Sequence, residues 1–269
     1  MKKKYLIALD MDGTLLNSQR EISEATREYL KGLNKEGYPI VITSGRPLRA
    51  IKPYYESMSL NSPIICYNGT YIYSPNDKSI EERHLLPCTV IKDLIKFIGE
   101  ENFENILCEN DKDIYMLKTN DALLGFFWKD GMNIHYGSFD DMNENMYIMI
   151  IQMKDHNFDD KLVKIGFSYP NLGIRFWSGE GLTSELYFLE YNKAAALRSV
   201  ANKLGVSMEN IIAFGDAEND LEMLEECGIS VAMKNAKDNI KNQAKYVSLE
   251  DNDHDGIKLT LEYLLRNNK

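Results

Sequence analysis

The sequence predicts an α/β protein, with a parallel sheet covered by helices on both faces and a separate α+β domain inserted into it. Three observations carry this expectation. Short, near-continuous apolar runs alternate with helical segments at both ends of the 269-residue chain, as parallel strands buried on both faces require. Several of these runs end in clusters of polar residues. Between about residues 82 and 186 the texture changes, and aromatic and Met residues become more frequent.

Taken in order, "YLIALD" (5–10) is the first strand. "ISEATREYLKGLNKEG" (22–37) reads as a helix, with Ser23 as N-cap and Gly37 as its stop. "YPIVITSG" (38–45) and "SPIICYNG" (62–69) are the second and third strands. The middle stretch opens with a helix, "TVIKDLIKFIGEE", followed by strand-like "ILCEN", "DIYMLK", "NMYIMIIQMK" and "GIRFWSG". "NKAAALRSVANKLGV" (192–206) is again a helix, and "NIIAFGD" (210–216), "ISVAM" (229–233) and "KYVSL" (245–249) are short strands. The expected organisation is a core from residues 1–81 and 187–269, with a domain of residues 82–186 inserted after the third strand.

Composition narrows the function classes. The chain carries 31 basic and 41 acidic side chains, a formal charge of −10. That global field disfavours nucleic acid or an anionic membrane as partner, since phosphate contacts need clustered Lys and Arg. The apolar run after the N-terminal lysines stops at Asp10, too short for a secretory h-region, and no stretch approaches a membrane span. Cys66, Cys88, Cys108 and Cys227 form no CxxC pair and His84, His135, His156 and His254 are dispersed, which argues against disulfides and zinc. A cytoplasmic protein is expected. Nothing in the sequence sets an oligomeric state.

The chemistry gathers at the strand ends. Residues two apart in a strand point to the same side, so Asp10 and Asp12 are expected to face one cleft. Asp-Gly is also ordinary turn chemistry, as are Thr43 and Ser44 at the end of the second strand, and Lys193 alone would read as a solvated charge. The convergence decides between these readings. "GDAEND" puts Asp216, Asn219 and Asp220 at another strand end. Lys193 falls in the first turn of its helix, where the dipole disfavours a cation. Open parallel sheets bind ligands beyond the carboxyl ends of their strands. Two carboxylates about 4 Å apart repel by roughly 1 kcal/mol in water and ~4 kcal/mol at an effective dielectric of 20. Asp10, Asp12 and Asp216 together therefore call for a cation, and oxygen-only ligands suit Mg²⁺ bound with a phosphate. Thr43, Ser44, Asn219 and Lys193 would supply donors to the remaining phosphate oxygens.

"DMDGT", "TSGR", Lys193 and "GDAEND" resemble, in order, the four signature motifs of the haloacid dehalogenase-like phosphatase superfamily. The insertion, "YNGTYIY" (67–73) and "ISVAMKNA" (229–236) resemble its Cof-type branch. The resemblance implies a Rossmann-like core with an α/β cap and Mg²⁺-dependent hydrolysis of phosphate monoesters of small metabolites, commonly sugar phosphates. It makes Asp10 the nucleophile that forms an aspartyl-phosphate and Asp12 the acid and base. Asp10, the Asp12 carbonyl and Asp216 would hold the metal. The Met11 amide, Thr43, Ser44, Lys193 and Asn219 would hold the phosphate, and Asp220 would orient Lys193 or a metal-bound water. Lys234, where the branch usually has Gly, and Ala194, where Gly is frequent, depart from the pattern. A sugar phosphomutase or phosphotransferase on the same scaffold is the nearest alternative, and a non-catalytic sensor of a phosphorylated metabolite the next.

Overall fold

A strand such as LIAL has no polar face to offer solvent, so it must sit inside a sheet covered on both sides. In the computed structural model, which describes residues 5–158, 169–177 and 182–267, this is where it lies. The chain divides into two compact units, Met1–Glu82 with Asn192–Lys269, and Arg83–Tyr191.

Numbered along the whole chain, the strands of the first sheet are β1 (Leu6–Leu9), β2 (Ile40–Thr43), β3 (Ile64–Cys66), β4 (Tyr71–Tyr73), β5 (Glu82–Arg83), β12 (Ile211–Gly215), β13 (Ile229–Ala232) and β14 (Tyr246–Val247). They run in the order β14-β13-β12-β1-β2-β3-β4-β5. From β14 to β3 every pairing is parallel, with Leu6 opposite Ile211 and Ile7 opposite Ile40. The sheet is not parallel throughout, because β4 returns antiparallel to β3. Tyr67, Asn68 and Gly69 all take positive φ (47°, 54° and 110°) and reverse the chain within three residues. A parallel return would need a crossover of a dozen or more.

Two helices of this unit show how the chain caps its elements, and the second carries a site residue. In α1 (Glu24–Lys35) the Ser23 hydroxyl accepts from the Thr26 amide at 3.1 Å, the expected N-cap. In α5 (Lys193–Lys203) the Asn192 side chain accepts from the Ala195 amide at 2.9 Å, which makes Lys193 the first helical residue. Ala194, Leu197, Val200 and Ala201 of α5 are buried against Leu6, Ala8, Val41, Ile65 and Ala213 of the sheet. Around them lie α2 (Leu48–Ser57), α6 (Leu221–Glu226), α7 (Asp238–Lys241) and α8 (Gly256–Asn267).

The second unit has α3 (Cys88–Ile98), α4 (Asp121–Phe126) and a six-stranded sheet. Its strands are β6 (Phe103–Glu109), β7 (Asp113–Met116), β8 (Asn133–Tyr136), β9 (Ile148–Met153), β10 (Leu172–Phe176) and β11 (Thr183–Phe188), in the order β10-β11-β9-β6-β7-β8. Ile91, Leu94, Ile95 and Ile98 form one face of α3 at helical spacing and pack on Phe103, Ile106, Met149 and Ile151. Among the described residues no helix is long and apolar enough to cross a membrane.

Candidate active site

β1 stops at Leu9, and the amide of the next residue, Asp10, still bonds the Phe214 carbonyl of β12 at 3.1 Å. β12 ends at Gly215 and delivers Asp216 beside it. Because β12 and β2 flank β1 in a parallel array, the residues that follow all three strands open on one spot.

Lys193 bridges the acids there. Its Nζ donates to Asp10 Oδ1 at 2.6 Å and to Asp220 Oδ1 at 2.7 Å, and all three side chains are buried. The second Asp220 oxygen accepts from the amides of Asp216 (3.0 Å) and Ala217 (3.1 Å), so both of its oxygens are engaged. Asp216 accepts from the Thr14 hydroxyl at 3.0 Å. One oxygen from each of Asp10, Asp216 and Asp220 falls within 4.8 Å of the others. Gly13 (φ +76°) allows this convergence, since a Cβ there would stand 2.3 Å from Asp216 Oδ2.

The electrostatics follow from that geometry. Burial, then the charges of Asp220 and Asp216, hold the Asp10 carboxyl well above its ordinary range, against the pull of Lys193. Burial and Asp220 push Asp216 up to about 6. Burial works against the Lys193 ammonium, but Asp10 and Asp220 outweigh it and raise its pKa. With all three acids ionised, one ammonium leaves two negative charges over. A divalent cation would balance them, and an all-oxygen donor set suits a hard one.

Asp12 faces a different partner. Its carboxylate accepts from Arg46 Nε at 2.7 Å and Nη2 at 2.5 Å. Of the other residues expected at the site, Ser44 accepts from the Arg46 amide at 3.2 Å and Asn219 donates to Asn68 Oδ1 at 2.9 Å. Met11 is buried, and its carbonyl accepts from the amides of Thr14 and Leu16 at 3.2 and 2.8 Å. Thr43 turns into the core, its hydroxyl directed at Met223 Sδ at 3.7 Å. Lys234 forms a surface pair with Glu250, and Ala194 packs in the core of the sheet.

Sequence reasoning did not single out Thr14, Arg46, Asn68 or Asn235. Arg46 stood inside a quoted motif, and Asn-Gly at 68–69 is a turn signal. At Gly69 a Cβ would stand 2.3 Å from the Asn192 carbonyl, so this turn lies directly against the residue that caps the helix of Lys193. Asn235 donates to the Gly13 carbonyl at 2.8 Å, pinning the loop between Asp12 and Thr14.

The fold and these motifs define a class. A family model for haloacid dehalogenase-like hydrolases matches residues 7–261. The chain belongs to that family, in its Cof-type branch, and is a phosphoric monoester hydrolase. It is 34% identical to the 5-amino-6-(5-phospho-D-ribitylamino)uracil phosphatase YitU of Bacillus subtilis, over 95% of each chain. It is 30% identical to the pyridoxal phosphate phosphatase YbhA of Escherichia coli, over 94% of this chain and 95% of that one. Among solved structures, a haloacid dehalogenase-like hydrolase from Bacteroides thetaiotaomicron superposes with a TM-score of 0.81 at 27% identity, over 97% of this chain and all of that one.

Proposed function

We propose that the protein is a cytoplasmic, Mg²⁺-dependent phosphatase that hydrolyses phosphate monoesters of small metabolites, sugar phosphates foremost, through an aspartyl-phosphate on Asp10. The observation that carries this reading is the buried Asp10–Lys193–Asp220 chain beside Asp216 at the carboxyl end of β1. In the first half-reaction an Asp10 oxygen bonds to phosphorus, the ester P–O bond breaks, and Asp12 gives the departing oxygen its proton. In the second, Asp12 takes a proton from water, the water oxygen attacks phosphorus, and inorganic phosphate leaves Asp10. Lys193 neutralises charge on Asp10 and the phosphoryl oxygens, while Asp220 holds that ammonium in place. Ser44, Asn219 and the Met11 amide are further phosphate donors. Thr43 reaches the phosphate only if its hydroxyl leaves Met223. Asp10 and Asp216, with the Asp12 carbonyl, would hold Mg²⁺, which when bound screens the charge between carboxylate and phosphate.

The test is release of inorganic phosphate from a panel of phosphorylated metabolites with Mg²⁺ and no acceptor sugar. The panel should include the ribitylamino-uracil phosphate and pyridoxal phosphate named for the relatives. Phosphate release supports the hydrolase reading; transfer only to an added sugar would favour a mutase.

Two further results are expected. Mg²⁺ at ~100-fold over its Kd raises Tm by roughly 5–10 °C at pH 7.5. The raised pKa of Asp216 means that its proton is bound below about 6. The cation-free fold therefore loses stability as pH rises through that value, and the gain from Mg²⁺ shrinks as pH falls through it. A gain equal at pH 5 and pH 7.5 would count against Asp216 as a ligand.

Asp12→Asn keeps a polar group but cannot donate or take the proton. We expect its kcat/KM to fall ~10²–10⁴-fold on a sugar phosphate and much less on an aryl phosphate, whose leaving group needs little protonation. Equal losses on both would remove Asp12 from the acid role.

A further inference from the structure

Arg46 is an expensive residue to keep where it is. Its side chain is 4% exposed, yet its ion-pair partner, Asp12, is 47% exposed. Burying a guanidinium costs several kcal/mol, and a pair with a half-exposed carboxylate contributes little to stability in return. The surroundings nevertheless hold the group firmly. Its Cζ lies 5.8 Å from the centre of the Tyr54 ring. Its amide donates to Ser44 Oγ at 3.2 Å, and its carbonyl accepts from the Tyr67 amide at 3.2 Å. The backbone of Arg46 is thus tied both to the end of β2 and to the 67–69 turn that lies against Asn192.

The guanidinium bonds Tyr54 as well as Asp12, and it is at Asp12 that its fork is used. Two nitrogens, Nε and Nη2, meet the two oxygens of Asp12, a contact that fixes a carboxylate in plane as well as in place. Asp12 needs such a restraint. It lies beyond the last residue of β1, before a glycine with positive φ, and its side chain is not enclosed by the core.

We propose that Arg46 is the positioning residue for Asp12, holding its carboxylate in the orientation from which it exchanges protons with leaving group and water. This rests on the reading of Asp12 as acid and base. Arg46 acts through Asp12 and not on the phosphate itself, so its effect must vanish when Asp12 can no longer move a proton.

A double-mutant cycle tests this. Turnover of an aryl phosphate and of a sugar phosphate is measured for wild type, Arg46→Ala, Asp12→Asn and the double variant, each checked for an intact fold by circular dichroism and Tm. Arg46→Lys, which keeps the charge but not the fork, is measured beside them and covers the case in which Arg46→Ala does not fold. The expected result is a loss of about 10²-fold for Arg46→Ala on the sugar phosphate, within what a positioned acid–base group contributes. The loss on the aryl phosphate is smaller, Arg46→Lys recovers part of the activity, and Arg46→Ala has no added effect in the Asp12→Asn background. If Arg46→Ala or Arg46→Lys lowers activity by the same factor with and without Asp12, the positioning role is overturned and the reading of Asp12 stands. If Asp12→Asn itself turns over sugar phosphates like wild type, the acid–base reading falls, and this proposal with it.

Discussion

Asp10→Asn is expected to lower kcat by more than ~10⁴-fold, the scale of loss when a covalent nucleophile is removed, on aryl and sugar phosphates alike. The two substrates behave alike because the lost step, attack on phosphorus, is common to both. The fold survives, because the substitution is isosteric and removes a charge that burial already disfavours. The side-chain amide in place of the carboxylate would still accept from Lys193 but could not form the acyl phosphate. Activity and Tm measured on the same preparation check this. Residual turnover within tenfold of wild type in a folded variant would place the nucleophile elsewhere.

Lys193→Met is expected to damage both activity and stability. The ammonium is the one positive group bonded to Asp10 and Asp220 among their described partners, and none of the three has appreciable contact with solvent. Removing one member of a buried ion network leaves uncompensated charge, which costs about 3–5 kcal/mol. For a chain of this size that is a fall in Tm of roughly 10 °C. Loss of a preorganised positive group at the phosphoryl oxygens lowers kcat by at least ~10²–10³-fold. The sign of the pH dependence follows. Without Lys193 the pull that partly offsets burial at Asp10 is gone, so Asp10 takes up its proton in the fold at a higher pH than in the unfolded chain. The variant therefore regains stability as pH falls from 7.5 towards 5, and its Tm deficit against wild type narrows. A deficit that is constant over that range would mean that packing, not charge, supports the site.

These two results differ because the two residues sit differently in the network. Asp10 is one of three acids crowded around a single ammonium, so its charge can be removed at little cost to the fold. Lys193 is the counter-ion of that crowd and, among the described residues, the one cation bonded to Asp10 and Asp220. The same imbalance makes a divalent cation the natural completion of the site.

What the sequence determined by itself was local. Apolar runs of four or five residues marked β1, β2, β3 and β12. Ser23 as N-cap and Gly37 as stop marked α1, and the placement of Asp10, Asp216 and Lys193 at element ends followed directly. Each of these depends on neighbours within about one turn or one strand, so the order of residues is enough to read it. The tertiary structure decided the partners. Lys193 and Asp10 are 183 positions apart, and Thr14 and Asp216 are 202 apart; they meet because β12 pairs with β1 rather than with another strand. Asp10 and Asp12, two residues apart on a strand that had already ended, diverge to Lys193 and Arg46. Thr43, which ends a strand as a phosphate ligand would, turns its hydroxyl to Met223. The antiparallel β4 arises from three successive positive φ angles at 67–69. Strand-end chemistry is written in the local pattern, whereas the direction of each side chain is settled by what the neighbouring strand and helix leave open.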